Sequence, residues 1–186
     1  MLTTSQDLRR VALREFAAAG YHGTSIQLIA ERAGVSKASV LYHYASKEQL
    51  LEAVLSPALD ALDEVLLDLD KLRGTTQSRG EFLERFVDFL LVHRLAVHVF
   101  VNQSASLTDV PVIDRARDEI RRIAAYFEQT TGSVDEKIRF GVALGGAAYL
   151  LAQPVLLEDG ADLGPDEAVR PALLRILGEL LAPTSN

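Results

Sequence analysis

The chain contains no cysteine, which excludes disulfides and thiolate metal sites. It has no strand-period runs, internal repeats or low-complexity tracts, so a sheet, a solenoid and a disordered polymer are all disfavoured. No nucleophile elbow or glycine-rich phosphate loop is visible. The four histidines, His22, His43, His93 and His98, lack zinc-ligand spacing, and acidic pairs such as Asp118-Glu119 read as solvated faces. Neither an enzyme, a cofactor nor a metal is expected. The N-terminus lacks the basic-then-apolar layout of a signal peptide, so a cytoplasmic location is expected. Long apolar runs are scarce as well. Phe140 to Leu157 is 18 residues without a charge, the lower limit for a membrane span. Gly141, Gly145, Gly146, Gln153 and Pro154 interrupt it, so a buried helix at a subunit interface is the better reading, and no membrane partner is expected.

What is present is apolar, helical and unevenly charged. At 186 residues and 48% hydrophobic, the chain can bury one substantial core, or a small head on a larger body. The net charge of -7 argues against a general nucleic-acid binder. Residues 1–50, however, hold six Lys/Arg against four acids, or +2, and the remainder carries -9. A mildly basic head on an acidic body suits a protein that meets DNA at one end only.

Four Ser/Thr residues are followed three positions on by Glu or Gln: Thr24/Gln27, Ser46/Gln49, Ser78/Glu81 and Ser133/Glu136. Each precedes an apolar periodic run, and the spacing marks a helix N-terminus. An all-α chain of about nine helices follows. The first runs over 5–19, with Leu8, Val11, Ala12 and Phe16 on one face and Gly20 ending it. A long helix runs from Ser46 to about Arg73, with Pro57 a kink inside it. After a loop at 74–80 (GTTQSRG), helices are predicted at about 80–105, 112–129, 134–157 and 166–182. The last two are separated by EDGADLGPD.

The most informative segment is Thr24 to Lys47. Two short helices are joined by Ala33-Gly34-Val35, with Gly34 supplying a turn where a side chain would hinder the helix crossing. The second helix opens on Ser36-Lys37 and carries Tyr42-His43-Tyr44. That is the layout of a helix-turn-helix, spanning about 24–44, whose second helix can enter a major groove. Val40 and Tyr44 fall inward, while Ala38 and Tyr42 point away, with Ser39 and Leu41 on the shoulders. Lys37 could donate to guanine or phosphate, Ala38 meet a thymine methyl, and Tyr42 and His43 bond phosphates. The helix starts at Thr24 and at Ser46-Lys47 are natural phosphate grips.

The stretch FAAAGYHGTSIQLIAERAGVSKASVLYHYASKEQLL, Phe16 to Leu51, resembles the tetracycline-repressor (TetR) family of bacterial regulators. The resemblance covers about the first quarter of the chain. It implies a three-helix DNA-binding head (1–47) on a larger helical effector-binding and dimerisation body (48–186). It further implies a homodimer built by the last two helices, and a repressor of a palindromic operator released by a small molecule. By position, the DNA contacts would fall on Thr24, Ser36, Lys37, Ala38, Ser39, Tyr42, His43 and Lys47. Leu41 stands where the family often has Tyr, which moves a phosphate contact to Tyr42 or loses it. Ala45 replaces a frequent Pro.

In the body, the 134–157 helix carries Phe140, Leu144, Ala147 and Leu151 beside Gly141 and Gly145. The last helix offers Leu173, Leu174, Ile176, Leu177, Leu180 and Leu181. Both are apolar on more than one face, which marks a partner surface. The residues expected at that interface are Phe140, Leu144, Ala147, Leu151, Leu173, Leu177 and Leu180. An effector cavity is expected among Phe86, Phe89, His93, Phe100, Gln103, Tyr126 and Tyr149, suited to an apolar or aromatic molecule. The alternative is a helix-turn-helix regulator that answers to a protein partner or acts without a small ligand.

Overall fold

The computed structural model describes residues 5–71, 76–130, 133–153 and 163–182. Among them are nine α-helices: α1 (Ser5–Gly23), α2 (Ile26–Ala33), α3 (Lys37–His43), α4 (Lys47–Lys71), α5 (Thr76–Val92), α6 (Arg94–Gln103), α7 (Pro111–Thr130), α8 (Val134–Leu151) and α9 (Asp166–Leu180). A short 3-10 turn, Ser104–Ser106, follows α6. The described residues contain no strand.

The chain divides into two compact units. The first holds Met1–Asp60 and Leu95–Arg117, the second Ala61–Arg94 and Asp118–Asn186. The helix-turn-helix head expected over 1–47 thus sits in a larger unit, which also takes the start of α4, nearly all of α6 and the start of α7.

In the first unit α1 packs on α2 and α2 on α3. Leu8, Ala12 and Phe16, one face of α1, are fully buried with Ile29, Ala30 and Val40. Gly20 breaks α1 with φ 74° and ψ 160°, a conformation that side-chain-bearing residues avoid. The second motif glycine acts through its backbone too. Gly34 adopts φ 69° and ψ 30° at the end of α2, and the Val35 amide donates back to the Ala30 carbonyl at 3.0 Å, closing a Schellman turn. A Cβ on Gly34 would meet nothing within 4 Å, so the crowding expected at this crossing is absent. The positive φ alone calls for glycine.

The second unit is built on α5, α8 and α9, which pack on one another. Phe82, Leu83, Phe86, Val87 and Leu90 of α5, Phe140, Ala143, Leu144, Ala147 and Leu151 of α8, and Val169, Leu173 and Leu177 of α9 are buried and supply this core. Arg170 holds α9 to α5 through a bidentate pair with Asp88 at 2.5 and 2.9 Å. Arg94 pairs with Asp166 at the start of α9.

The helix boundaries differ from the sequence expectation in three places. The single helix expected over 80–105 is two, α5 and α6, divided at His93. Helix α5 begins at Thr76, so 76–80 of the expected loop are helical and Ser78 lies inside the first turn rather than at a cap. Helix α8 stops at Leu151, with Ala152 as its cap. The expected continuation to Leu157, most of EDGADLGPD, and positions 72–75 lie outside the described residues. Helix α4 continues through Pro57. Ser133/Glu136 forms a complete capping box, and at Ser46/Gln49 the Ser46 hydroxyl accepts the Gln49 amide at 3.1 Å.

Candidate nucleic-acid interface

Helix α3 is two turns long and amphipathic. Ser36 caps it, its hydroxyl accepting the Ser39 amide at 3.1 Å. Val40 is fully buried and pins the helix to the head. Tyr44, just past its end, is buried as the sequence suggests, and its hydroxyl lies 2.7 Å from the Ser5 hydroxyl. The opposite side is open. Lys37, Ala38, Tyr42 and His43 are exposed and Ser39 is half-exposed. Tyr42 is 87% exposed, unusual for so large a side chain, and its ring stands edge-on to His43 at 5.4 Å. Leu41, on the shoulder, is 39% exposed. Six of the eight positions picked as DNA contacts thus share the outer side or the cap of one helix: Ser36, Lys37, Ala38, Ser39, Tyr42 and His43.

The other two turn inward, a correction to the sequence reading. Thr24 is buried, and its hydroxyl donates to the Gly20 carbonyl at 2.8 Å and the Glu15 carbonyl at 3.0 Å. The cap of α2 falls to Ser25 instead, whose hydroxyl accepts the Leu28 amide at 3.1 Å. Lys47 is half-buried. Its ammonium donates to the carbonyls of Tyr21 at 2.9 Å and Thr24 at 3.0 Å, and sits 4.2 Å from the centre of the Tyr21 ring. A cation so engaged ties α4 to the corner between α1 and α2 rather than reaching out for phosphate.

The expected cavity residues are divided between the two units. Phe86, Phe89 and His93 do form a ladder along α5, with ring centres 6.4 Å apart for Phe86–Phe89 and 5.4 Å for Phe89–His93; Phe82 extends it, 5.7 Å from Phe86. Burial pushes the His93 imidazole below the usual histidine range, favouring its neutral form. Tyr126 is half-buried on α7. Phe100 and Gln103 belong to the first unit, where Gln103 bonds the backbone of α1 with both ends of its amide. Tyr149 is 56% exposed on α8.

The expected subunit interface is corrected most. Phe140, Leu144, Ala147, Leu151, Leu173 and Leu177 are all buried inside the second unit, where they pack α8 and α9 on each other and on α5. Leu180 is half-buried. Helix α8 carries a second apolar stripe on its other side: Val134, Ile138, Val142 and Tyr149 are 73%, 60%, 59% and 56% exposed, with Gly141, Gly145 and Gly146 exposed among them. Ile176 of α9 is also exposed. That this helix is apolar on more than one face was visible in the sequence; which face meets the core was not.

Residues 8–54 match the family of bacterial regulatory proteins called the tetR family. The transcriptional repressor KstR2 of Mycolicibacterium smegmatis is 32% identical over 117 residues, covering 58% of this chain and 53% of KstR2. The transcriptional regulator RutR of Escherichia coli is 53% identical over 49 residues, 26% of this chain and 23% of RutR. The chain thus spans about half the length of KstR2 and less than a quarter of RutR. A crystal structure of a TetR-family regulator from Streptomyces coelicolor superposes with a TM-score of 0.70 at 26% identity, covering 95% of this chain and 91% of that one. No helix among the described residues is long and apolar enough to cross a membrane. The head, residues 8–54, thus matches the tetR family of bacterial regulatory proteins, and the likeness to the Streptomyces TetR-family regulator extends over almost the whole chain.

Proposed function

We propose that the protein is a DNA-binding transcriptional repressor that grips a palindromic operator as a homodimer and leaves it when a small apolar or aromatic effector binds the helical body. The observation that carries this reading is α3. One buried residue, Val40, fixes it to the head, while Lys37, Ala38 and Tyr42 stay exposed among the described residues. A helix held this way can enter a major groove without disturbing the fold. Lys37 brings charge to phosphate or guanine, Ala38 permits close approach, and Tyr42 offers both a hydroxyl and a stacking face.

A single such helix makes few base contacts. Two, related by a two-fold axis and about 34–36 Å apart, read the two halves of a palindrome. The second copy sits on the outer stripe of α8, Val134, Ile138, Val142 and Tyr149, with Ile176 beside it. Four large apolar side chains in line on one helix are more than a solvated face needs. The glycines among them allow close helix approach. In the body, the aromatic ladder on α5 and the neutral His93 at its end favour an apolar or aromatic effector over a highly charged one. Release requires that the effector prefer the form that does not bind DNA. Repression is the sign of regulation that the name of KstR2 carries.

The test is selection of duplexes from a random-sequence pool by the purified protein. Enrichment of an inverted repeat is the expected result, with Lys37→Ala and Tyr42→Ala weakening binding to it while dimer and helicity persist. Failure to enrich any duplex, or wild-type affinity in both variants, overturns the assignment. For the effector arm, a thermal-shift screen in which only highly charged compounds stabilise the protein refutes the apolar reading.

A further inference from the structure

The break in α1 at Gly20 leaves backbone groups without their helical partners, and α6 supplies replacements. In an unbroken helix the Tyr21 amide would donate to the Ala17 carbonyl. Here the Tyr21 amide donates to the Gln103 side-chain oxygen at 2.7 Å, and the Ala17 carbonyl accepts from His98 Nε2 at 3.1 Å. The other end of the same glutamine, Nε2, donates to the Phe16 carbonyl at 2.7 Å. Asn102 lies one turn beyond His98 and sets its amide nitrogen 3.1 Å from His98 Nδ1, leaving Nε2 to carry the proton toward Ala17. Gln103 therefore closes both sides of the break at once, as donor and as acceptor.

What hangs from this break is the DNA-facing half of the head. Residues 20–25 form a corner tied by Thr24 to the Gly20 carbonyl and by Lys47 to the Tyr21 and Thr24 carbonyls. Helix α2 starts directly after that corner, and α3 follows through the Gly34 turn. The direction in which α3 points is set where α1 breaks.

We propose that Gln103 is a positioning residue for DNA recognition: its amide, seconded by His98 and Asn102, locks the broken end of α1 and so sets the aim of α3, although it lies about 60 positions further along the chain than α3 and touches no DNA. This rests on the reading of α3 as the DNA-reading helix. Gln103 is half-exposed and adds little to the apolar core, so its two hydrogen bonds are separable from overall stability. Helix α6 thereby holds the broken end of α1 through the side chains of His98 and Gln103.

The experiment uses a duplex selected by the full-length wild-type protein, and Gln103→Leu and Gln103→Glu variants. Leucine removes donor and acceptor and should weaken binding about tenfold, the scale expected for hydrogen bonds of this kind. Sedimentation should stay unchanged, and amide exchange should quicken in peptides covering residues 16–30 but not in those from α5, α8 and α9. Glutamate keeps an acceptor for Tyr21 but sets a carboxylate against the Phe16 carbonyl. Its binding defect relative to wild type should shrink on going from about pH 8 to about pH 5, as protonation restores a donor. A residue serving general stability alone would show no such recovery. Wild-type affinity in Gln103→Leu, exchange that quickens uniformly, or a Gln103→Glu defect independent of pH overturns the inference. Wild-type protein that selects no duplex overturns instead the DNA-binding reading beneath it.

Discussion

Ile138→Glu is the sharpest perturbation of the proposed subunit contact. Ile138 lies in the middle of the outer α8 stripe and is 60% exposed in the single chain. Complete burial of an isoleucine side chain contributes roughly 1.5–3 kcal/mol, so covering the exposed three-fifths contributes about 1–2 kcal/mol per subunit. A two-fold axis presents the residue twice, which makes about 2–4 kcal/mol, or roughly a 30- to 700-fold rise in the dimer dissociation constant, when the side chain is lost. The glutamate adds the cost of desolvating a charge unless the interface opens. The fold itself should not suffer, because the position is open within the chain and glutamate is a good helix former. Sedimentation across a concentration series should therefore show monomers at unchanged helicity. Leu144→Ala is the control: it removes a buried side chain of the inner stripe and should cost the fold about 2–5 kcal/mol, lowering the melting temperature. A dimer as tight as wild type in Ile138→Glu, or dissociation on Leu144→Ala without loss of stability, refutes the assignment of faces.

Gly34→Ala should lower the melting temperature by the strain of a positive φ, about 1–2 kcal/mol, and Gly34→Asn by less, since nothing obstructs a Cβ there. Lys37→Ala should reduce the slope of log affinity against log salt by about one if the ammonium sits on phosphate. Lys47→Met should lower thermal stability while leaving that slope unchanged, because its charge is spent on the Tyr21 and Thr24 carbonyls. A slope that falls in Lys47→Met would return the residue to the DNA contacts. Burial, reinforced by the nearby Asp63 charge, pushes the Glu119 carboxyl above the usual glutamate range, and Arg122, 2.5 Å away, only partly offsets this. Its folded form therefore holds a proton more tightly than the unfolded form, so its penalty is greatest above the raised value and fades as pH falls through it. Glu119→Gln should stabilise the protein in chemical denaturation at about pH 8, with the advantage shrinking toward about pH 5; equal advantage at both ends refutes the burial argument.

What could be read from the sequence follows from how local each cause is. The helix-turn-helix was legible because its determinants lie within a few residues of one another: Ser36 bonds an amide three positions away, Gly34 ends its own helix, and Val40 and Tyr42 differ in burial by their angle around one axis. Thr24 and Lys47 misled for the complementary reason. Both are polar, sit at helix starts and look available, yet in the corner after the break at Gly20 Thr24 bonds the Gly20 carbonyl and Lys47 those of Tyr21 and Thr24.

The two faces of α8 mark the limit of pattern reading. Phe140, Leu144 and Leu151 recur at the same intervals of four and seven residues as Val134, Ile138, Val142 and Tyr149, and periodicity alone cannot say which row meets α5 and α9. Packing decides it: the row with Phe140 is buried where α8 packs on α5 and α9, while the row beside Gly141, Gly145 and Gly146 remains exposed. Gln103 is further still from local inference, since its partner Tyr21 lies 82 residues away and no pattern in α6 distinguishes it from an ordinary surface glutamine. The residues that identify a DNA-reading helix are therefore close in sequence, whereas those that aim it are brought together only by the tertiary fold. For that reason the second group, rather than α3, is where two regulators with similar recognition helices would differ in how firmly they hold an operator.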